Sequence, residues 1–301
     1  MKVDIVIPVY NQRSSLAYVL AGFLNQETKN DLSVFVVNDG SDEDIDSLIL
    51  EKAQLFIEKG WNLCIINLEK SGRSKSRNAG VQAGDGEIVI FCDADRIPNK
   101  NFVDSHVNKY LAGFDIIIGM PKEIYLNSIL ERNTLIWEIV NGNKSRLGRL
   151  SSYTKLVLNI YSKDGNTDSG IPWVSTFSGN MSVSRRLIEL HGFDEEFKSW
   201  GFENIELGYR LYSQGYQFAH EPRAINYHLN HPRPANFYDI GIKASREYLS
   251  LKYNNNSSIT NYGDLAEGKI SLQDFEKKYG NAEALWINGV STSLANKISP
   301  L

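Results

Sequence analysis

Four short apolar runs fix the fold class of this chain more tightly than any other feature. Each stops at a turn, and a helix-spaced segment separates it from the next. The runs are Val3 to Val9, Leu32 to Val37, Leu63 to Ile66 and Ile88 to Cys92. The first intervening helix is expected from a cap at Ser14 or Ser15 to about Asn25. The second spans Asp44 to Lys59, with apolar positions at Ile45, Leu48, Ile49, Ala53 and Phe56, and the third spans Ser74 to Ala83. Strands that are apolar almost throughout are buried on both faces, and strands alternating with helices build a parallel sheet. Ligands of such sheets bind beyond the carboxyl ends of the strands. Asn11, Asp39, Ser41, Asp93 and Asp95 all fall there.

The fourth run ends in Asp93-Ala-Asp95, followed by Pro98. Residues i and i+2 of an extended chain project to the same side, so two carboxylates can face one cation. Two carboxylates completed by water and substrate phosphates are the usual way Mg²⁺ or Mn²⁺ is held. In isolation, an Asp-x-Asp before a proline is more often a turn. Behind a buried strand, and with the motifs below, it points to a metal-bound diphosphate.

The chain has 301 residues, room for one large domain or two small ones, with 42% hydrophobic and 23% charged residues, an ordinary soluble balance. A net charge of −4 leaves no basic footprint for nucleic acid. Cys64 and Cys92 each lie in an apolar run and read as buried free thiols, which suits a reducing cytoplasm. Met1-Lys-Val-Asp does not read as a secretory leader, and no stretch reaches the roughly 18 apolar residues of a membrane helix. A soluble, cytoplasmic protein is expected.

After Asp95 the alternation is irregular. Phe114 to Gly119 reads as a further strand, and residues 121–170 hold two helix-like pieces. The basic stretch Asn141 to Arg149 reads as a solvated loop, with contact to an acceptor or a membrane surface as the alternative. From Asn236 onward helical spacing dominates, at Ile240, Ala244, Tyr248 and Leu251, then at Leu272, Phe275, Tyr279 and Leu285. The expected division is a domain over 1–235 and a helical C-terminal extension over 236–301.

The order of motifs resembles the GT-A nucleotide-sugar glycosyltransferases, family 2 in particular. The matching residues are Ile7-Pro-Val-Tyr-Asn11, Val37-Asn-Asp-Gly-Ser41, Gly72 to Gly80 and Phe91-Cys-Asp-Ala-Asp95. Phe177 to Arg185, Gly192 to Phe197 and Trp200 to Leu211 follow in the same order. The resemblance implies a Rossmann-like α/β GT-A fold, with a mostly parallel central sheet flanked by helices. It also implies a UDP-sugar donor and Mn²⁺ or Mg²⁺. Pro8, Tyr10 and Asn11 would line the uracil pocket, with Ser41 beside them. Asp39 would accept from the base or ribose, and Arg77 and Asn78 would sit near the base and diphosphate. Asp93 would reach the ribose and metal, Asp95 the metal directly, and His228 would be a third ligand, imidazole suiting Mn²⁺ better than Mg²⁺. His106, His191 and His220 are left as structural. Gly179 and Asn180 would form a backbone turn beside the donor sugar.

Trp200-Gly-Phe-Glu-Asn204 is the second chemical centre. Sugar transfer needs a group to receive the acceptor's proton, and a carboxylate is the natural candidate. Family 2 has Glu-Asp in this place, but here the second residue is Asn204, and an amide cannot take a proton. Glu-Asn is similar to the polypeptide N-acetylgalactosaminyltransferases, which retain the donor's configuration. If this chain inverts, Glu203 or Glu206, three apart on a helix, must be the base. If it retains, Glu203 orients the sugar or acceptor. Trp200 would stack on the acceptor, which is a carbohydrate, peptide or lipid-linked group. A nucleotidyltransferase is disfavoured, because the first strand lacks a glycine-rich sequel. A non-catalytic protein on a degenerate transferase fold has only Asn204 in its favour.

Overall fold

The computed structural model describes residues 1–124, 129–143, 148–198, 201–230, 237–254, 256–280, 285–287 and 290–292. β1 (Lys2–Val9), β2 (Asp31–Asp39), β3 (Asn62–Leu68) and β4 (Ile88–Cys92) form the parallel half of an eight-stranded sheet, in the order β3-β2-β1-β4. α1 (Arg13–Leu24), α2 (Ile45–Glu58) and α3 (Arg73–Ala83) are the crossovers between them. Side chains alternate along β1. Ile5 and Ile7 enter a core with Leu16, Leu20, Val34 and Val36, while Val6 enters a second core with Val37, Val81 and Phe91. Both faces are therefore covered, as continuous apolar strands require.

The connections from β1 step to β2 and β3 on one side, and β4 lies on the other. Such a reversal opens a crevice at the carboxyl ends of the strands. Beyond β4 the sheet turns mixed. β7 (Asn180–Ser184) runs antiparallel to both β4 and β6 (Ile116–Ile124). β8 (Phe218–Leu229) pairs parallel with β6, and β5 (Arg96–Pro98) closes the edge antiparallel to β8. α4 (Phe102–Leu111) and α5 (Ile129–Val140) join the first core. The second core takes α6 (Ser152–Leu158), a 3-10 turn (Pro172–Ser175), α7 (Arg185–His191) and α8 (Glu203–Ser213). No helix among the described residues is long and apolar enough to cross a membrane.

The expected C-terminal helices are α9 (Phe237–Lys252), α10 (Ser257–Thr260), α11 (Tyr262–Ala266) and α12 (Leu272–Tyr279). Ile259, Tyr262, Leu265 and Phe275 from these helices pack into the second core around Trp173. The residues on either side of the expected 235/236 boundary lie outside the described set. Four details differ from the sequence reading. Gln12, not Ser14 or Ser15, is the N-cap of α1, and Ser15 Oγ donates back to its carbonyl. Cys64 is exposed, because β3 is an edge strand, whereas Cys92 is buried. Ile240 and Leu251 are 70% and 79% exposed, so the buried stripe of α9 runs elsewhere, through Leu249. Leu285 lies in a strand, β9 (Leu285–Ile287), paired with β10 (Val290–Thr292).

Glu206 fastens α8 to α9. Its Oε1 accepts from Arg210 Nε at 2.9 Å, Lys252 Nζ at 2.7 Å and Tyr253 Oη at 2.7 Å, and its Oε2 accepts from Arg210 Nη2 at 2.9 Å. Burial pushes this carboxyl up, but Arg210 and Lys252 outweigh it and hold it below the ordinary glutamate range. Glu206→Ala removes the buried carboxylate that partners Arg210, Lys252 and Tyr253, and should cost about 1–3 kcal/mol in urea unfolding at pH 7. The sign of the pH dependence follows from the lowered folded value. The stabilisation is complete above the unfolded value of about 4.3 and is lost as pH falls through the folded one. The stability gap between wild type and Glu206→Gln should therefore narrow on acidification below that range.

Candidate active site

The crevice is lined by the polar residues that terminate β1, β2 and β4. Asn11, at a left-handed φ of 51°, accepts from Asp42 N through Oδ1, and its own N–H donates to Ser41 Oγ at 3.0 Å. Asn11 and Ser41 thus lace the loops after β1 and β2 together. Pro8 is half-buried in β1, opposite Val37. Asp39 is buried at the end of β2 and caps the segment that starts α3. It accepts from Ser71 N at 2.7 Å, Gly72 N at 3.0 Å and Lys70 Nζ at 2.9 Å. Burial raises this carboxyl, yet the bonds from Lys70, Ser71 and Gly72 prevail and hold it below the usual range. Lys70 Nζ also lies 3.1 Å from the centroid of the half-exposed Tyr10 ring. Tyr10, Lys70 and Asp39 therefore form one wall.

α3 lies close on the sheet because Gly80 has no side chain. A Cβ there would meet Val6 Cγ1 at 2.4 Å. The close approach drives Arg77, only 1% exposed, into the interior between two acids. Its Nη2 donates to Asp93 Oδ1 at 3.1 Å and its Nη1 to Glu203 Oε1 at 3.0 Å. Glu203 is buried too, and its Oε2 has no hydrogen-bond partner among the described residues. Phe202, the residue before it, has φ 70°, a costly conformation for a bulky side chain that recurs at functional sites.

Across the crevice, Gln12 Nε2 donates to Asp95 Oδ2 at 2.8 Å, and His228 Nε2 stands 3.4 Å from the same oxygen. Register places Arg96, His228 and Glu123 in one row across β5, β8 and β6. His228 Nδ1 meets Glu123 Oε2 at 2.5 Å. Burial lowers the imidazole's proton affinity, but Asp95 and Glu123 together raise it above the ordinary value. Arg96 Nε lies 3.6 Å from Asp93 Oδ2, and Nη2 lies 3.7 Å from Glu123 Oε1.

Some expected residues serve elsewhere. Asn78 donates to Phe193 O and accepts from Phe193 N, so its amide is a backbone clamp. Glu206 has both oxygens engaged in the clamp to α9. Asn204 donates to Thr176 O and ties α8 to the 3-10 turn. Gly179 does lie against Asp93, whereas Asn180 is buried beneath it. Asn180 Nδ2 donates to Asn226 Oδ1 at 2.9 Å, its Oδ1 faces His106 Nε2 at 3.3 Å, and Asn226 holds Gly179 O at 2.6 Å. Burial pushes His106 down to about 4, so the network is uncharged. Trp200 lies outside the described residues. Sequence reasoning missed Gln12, Lys70, Arg96 and Glu123. Gln12 and Lys70 follow β1 and β3, where the carboxyl-end rule points to them, whereas Arg96 and Glu123 lie on strand segments defined by pairing with β8.

The family model described as glycosyl transferase family 2 matches residues 4–169, and that for the N-terminal domain of galactosyltransferase matches 166–232. The chain is 30% identical over 255 residues to the chondroitin synthase of Escherichia coli, which covers 78% of this chain and 36% of that protein. It thus spans little more than a third of that relative. In fold it is similar to S. aureus TarS 1–349 in complex with UDP, with a TM-score of 0.54 and 18% identity, covering 91% of this chain and 77% of that one. A mannosyltransferase from Pyrobaculum calidifontis in complex with GDP-Man and Mn²⁺ gives a TM-score of 0.56 and 15% identity, covering 91% and 67%.

Among the described residues no three His, Cys, Asp or Glu side chains converge as a ready-made cation site. Asp93 faces Arg77, while Asp95 and His228 face each other. The pair nevertheless fits a divalent cation. A carboxylate oxygen and an imidazole suit Mn²⁺, and a carboxylate on the far ring nitrogen is how metal-binding histidines are oriented. Glu123→Gln should weaken Mn²⁺ binding by about 10- to 100-fold. Titration of Mn²⁺ by electron paramagnetic resonance reads this directly, and unchanged affinity would remove Glu123 from the cation's support.

Proposed function

We infer that this chain, which belongs to glycosyltransferase family 2, transfers a hexose or N-acetylhexosamine from a UDP-sugar to an acceptor hydroxyl, with a divalent cation and with inversion. The observation that carries the reading is Arg77, which bonds at once to Asp93 of the Asp-x-Asp pair and to Glu203. Donor-side and acceptor-side acids thereby belong to one cluster. UDP bound to TarS supports a nucleoside diphosphate donor, and GDP-Man with Mn²⁺ in the mannosyltransferase supports a cation. The similarity to chondroitin synthase supports a glycan as acceptor, ahead of a peptide or a lipid-linked group. The free thiols Cys64 and Cys92 suit the cytoplasm.

Each residue contributes through geometry already described. Tyr10, Lys70 and Asp39 offer the base a ring face, a cation and a carboxylate. Asp95 and His228 would hold the cation, with Asp93 reaching it and the ribose. Four carboxyl groups (Asp93, Asp95, Glu123 and Glu203) outnumber two guanidinium groups (Arg77 and Arg96), which favours binding a divalent cation. When bound, that cation neutralises the departing diphosphate as a Lewis acid. Glu203 presents Oε2 without a partner among the described residues, which leaves it ready to accept the proton of the attacking hydroxyl. Its other oxygen is fixed by Arg77, so the group is oriented in advance. Asn204 favours a second reading, retention, because no proton acceptor stands in its place.

Glu203→Gln separates the two. If Glu203 is the base, kcat should fall by about 10²- to 10⁴-fold with little change in donor affinity. Proton NMR of the product's anomeric coupling should show β linkage from an α-linked UDP-sugar. An α-linked product would overturn inversion, and full activity of wild type in chelator would overturn metal dependence.

A further inference from the structure

Arg96 is the one described charge of this cluster whose bonding is incomplete on every nitrogen. Its side chain is 18% exposed, and Nε and Nη2 stand 3.6 Å and 3.7 Å from Asp93 and Glu123. Those separations are ion pairs, too long for hydrogen bonds. Nη1 is buried and has no partner among the described residues. A guanidinium carries five N–H donors in a planar fork, and enclosing it without hydrogen bonds is unfavourable. An unsatisfied buried group in a folded protein calls for an ion, a water or a functional role.

The surroundings are built to hold it there. Gly179 gives the side chain its path, since a Cβ at that position would meet Arg96 Nε at 2.7 Å and Arg96 Cδ at 2.8 Å. Gly179 itself is fixed through its carbonyl by Asn226. The cross-strand row sets Arg96 beside His228, and the turn Asp93-Ala-Asp95 immediately precedes it. The fork is therefore presented on the same side of the sheet as the acids that would hold the cation.

We propose that Arg96 binds the diphosphate of the nucleotide donor, its fork taking the phosphate oxygens that complete its hydrogen bonds. The assignment rests on the nucleotide-sugar reading above. Diphosphate is the ligand of choice because a planar fork matches paired oxyanions, and because the neighbouring acids suit a cation that would bridge the same phosphates. Asp93 and Glu123 hold the guanidinium loosely, so it can turn to a stronger acceptor without breaking a close bond.

Calorimetric titration in chelator tests this, with uridine, UDP and inorganic pyrophosphate as probes and the full chain as the protein. Wild type should bind pyrophosphate and prefer UDP to uridine. Arg96→Gln should lose about 10- to 100-fold in affinity for pyrophosphate and for UDP, while uridine changes by less than about twofold. Arg96→Lys, a point charge without the fork, should fall between. The inference is overturned if wild type does not bind pyrophosphate, if Arg96→Gln binds it equally well, or if uridine is lost as much as UDP, the mark of a packing role. Should Arg96→Gln not fold by circular dichroism, Arg96→Lys decides, and wild-type affinity for pyrophosphate in that variant overturns the inference. Arg96-dependent binding of pyrophosphate without binding of UDP would sink the UDP-sugar reading and leave this one standing.

Discussion

The buried guanidinium of Arg77 is the interaction on which the site depends. An isolated cation in the interior is held only if paired and hydrogen-bonded. Asp93 from the end of β4 and Glu203 from the start of α8 supply that pairing. These acids belong to halves of the chain that fold on different principles, crossovers on one side and a mixed meander with helices on the other. Arg77 fixes their separation, because both must reach one planar group. Removing either acid leaves a buried charge with half its partners, so the two halves of the site are energetically coupled.

Around Arg77 the remaining groups form a second circuit. Glu123, His228 and Arg96 stand in one cross-strand row, and His228 leads on to Asp95 and so to Gln12 across the crevice. The row owes its alignment to β8, whose twelve residues carry His228 to the level of Asp95. Beneath it the uncharged network of His106, Asn180 and Asn226 sustains the backbone at Gly179. Satisfied buried amides specify one arrangement of the chain, which is what a preorganised site requires.

Most of the parallel half was legible in the sequence, because β1 to β4 are short apolar runs whose ends carry turn residues. Asp39, Asp93 and Asp95 could be placed on the crevice for the same reason. What escaped was set by tertiary pairing. β5 has three residues, too few for any periodicity, yet it carries Arg96. β6 continues through Met120-Pro-Lys-Glu to Ile124 although the apolar run stops at Gly119, since pairing with β8 extends it, and Glu123 came with that extension. Glu203 and Glu206 share one helix and one spacing. Their roles part only because Lys252 and Tyr253, at the end of α9 more than forty residues later, claim the second.

Asn204 gains its meaning from that partition. In a sequence it is the missing base. In the fold its amide binds the carbonyl of Thr176 and secures the N-terminus of α8 to the 3-10 turn. The strained Phe202 lies two residues earlier, so the short segment between them, Glu203, is fixed at both ends. A residue held in this way can keep one buried oxygen without a partner, an arrangement that a looser backbone would relax by turning the carboxylate to water or to another donor. The substitution that removes a proton acceptor at 204 thus stiffens the mount of the carboxylate beside it. An ionised aspartate at 204 could not make this anchor, because a carboxylate has no proton to donate to the carbonyl of Thr176.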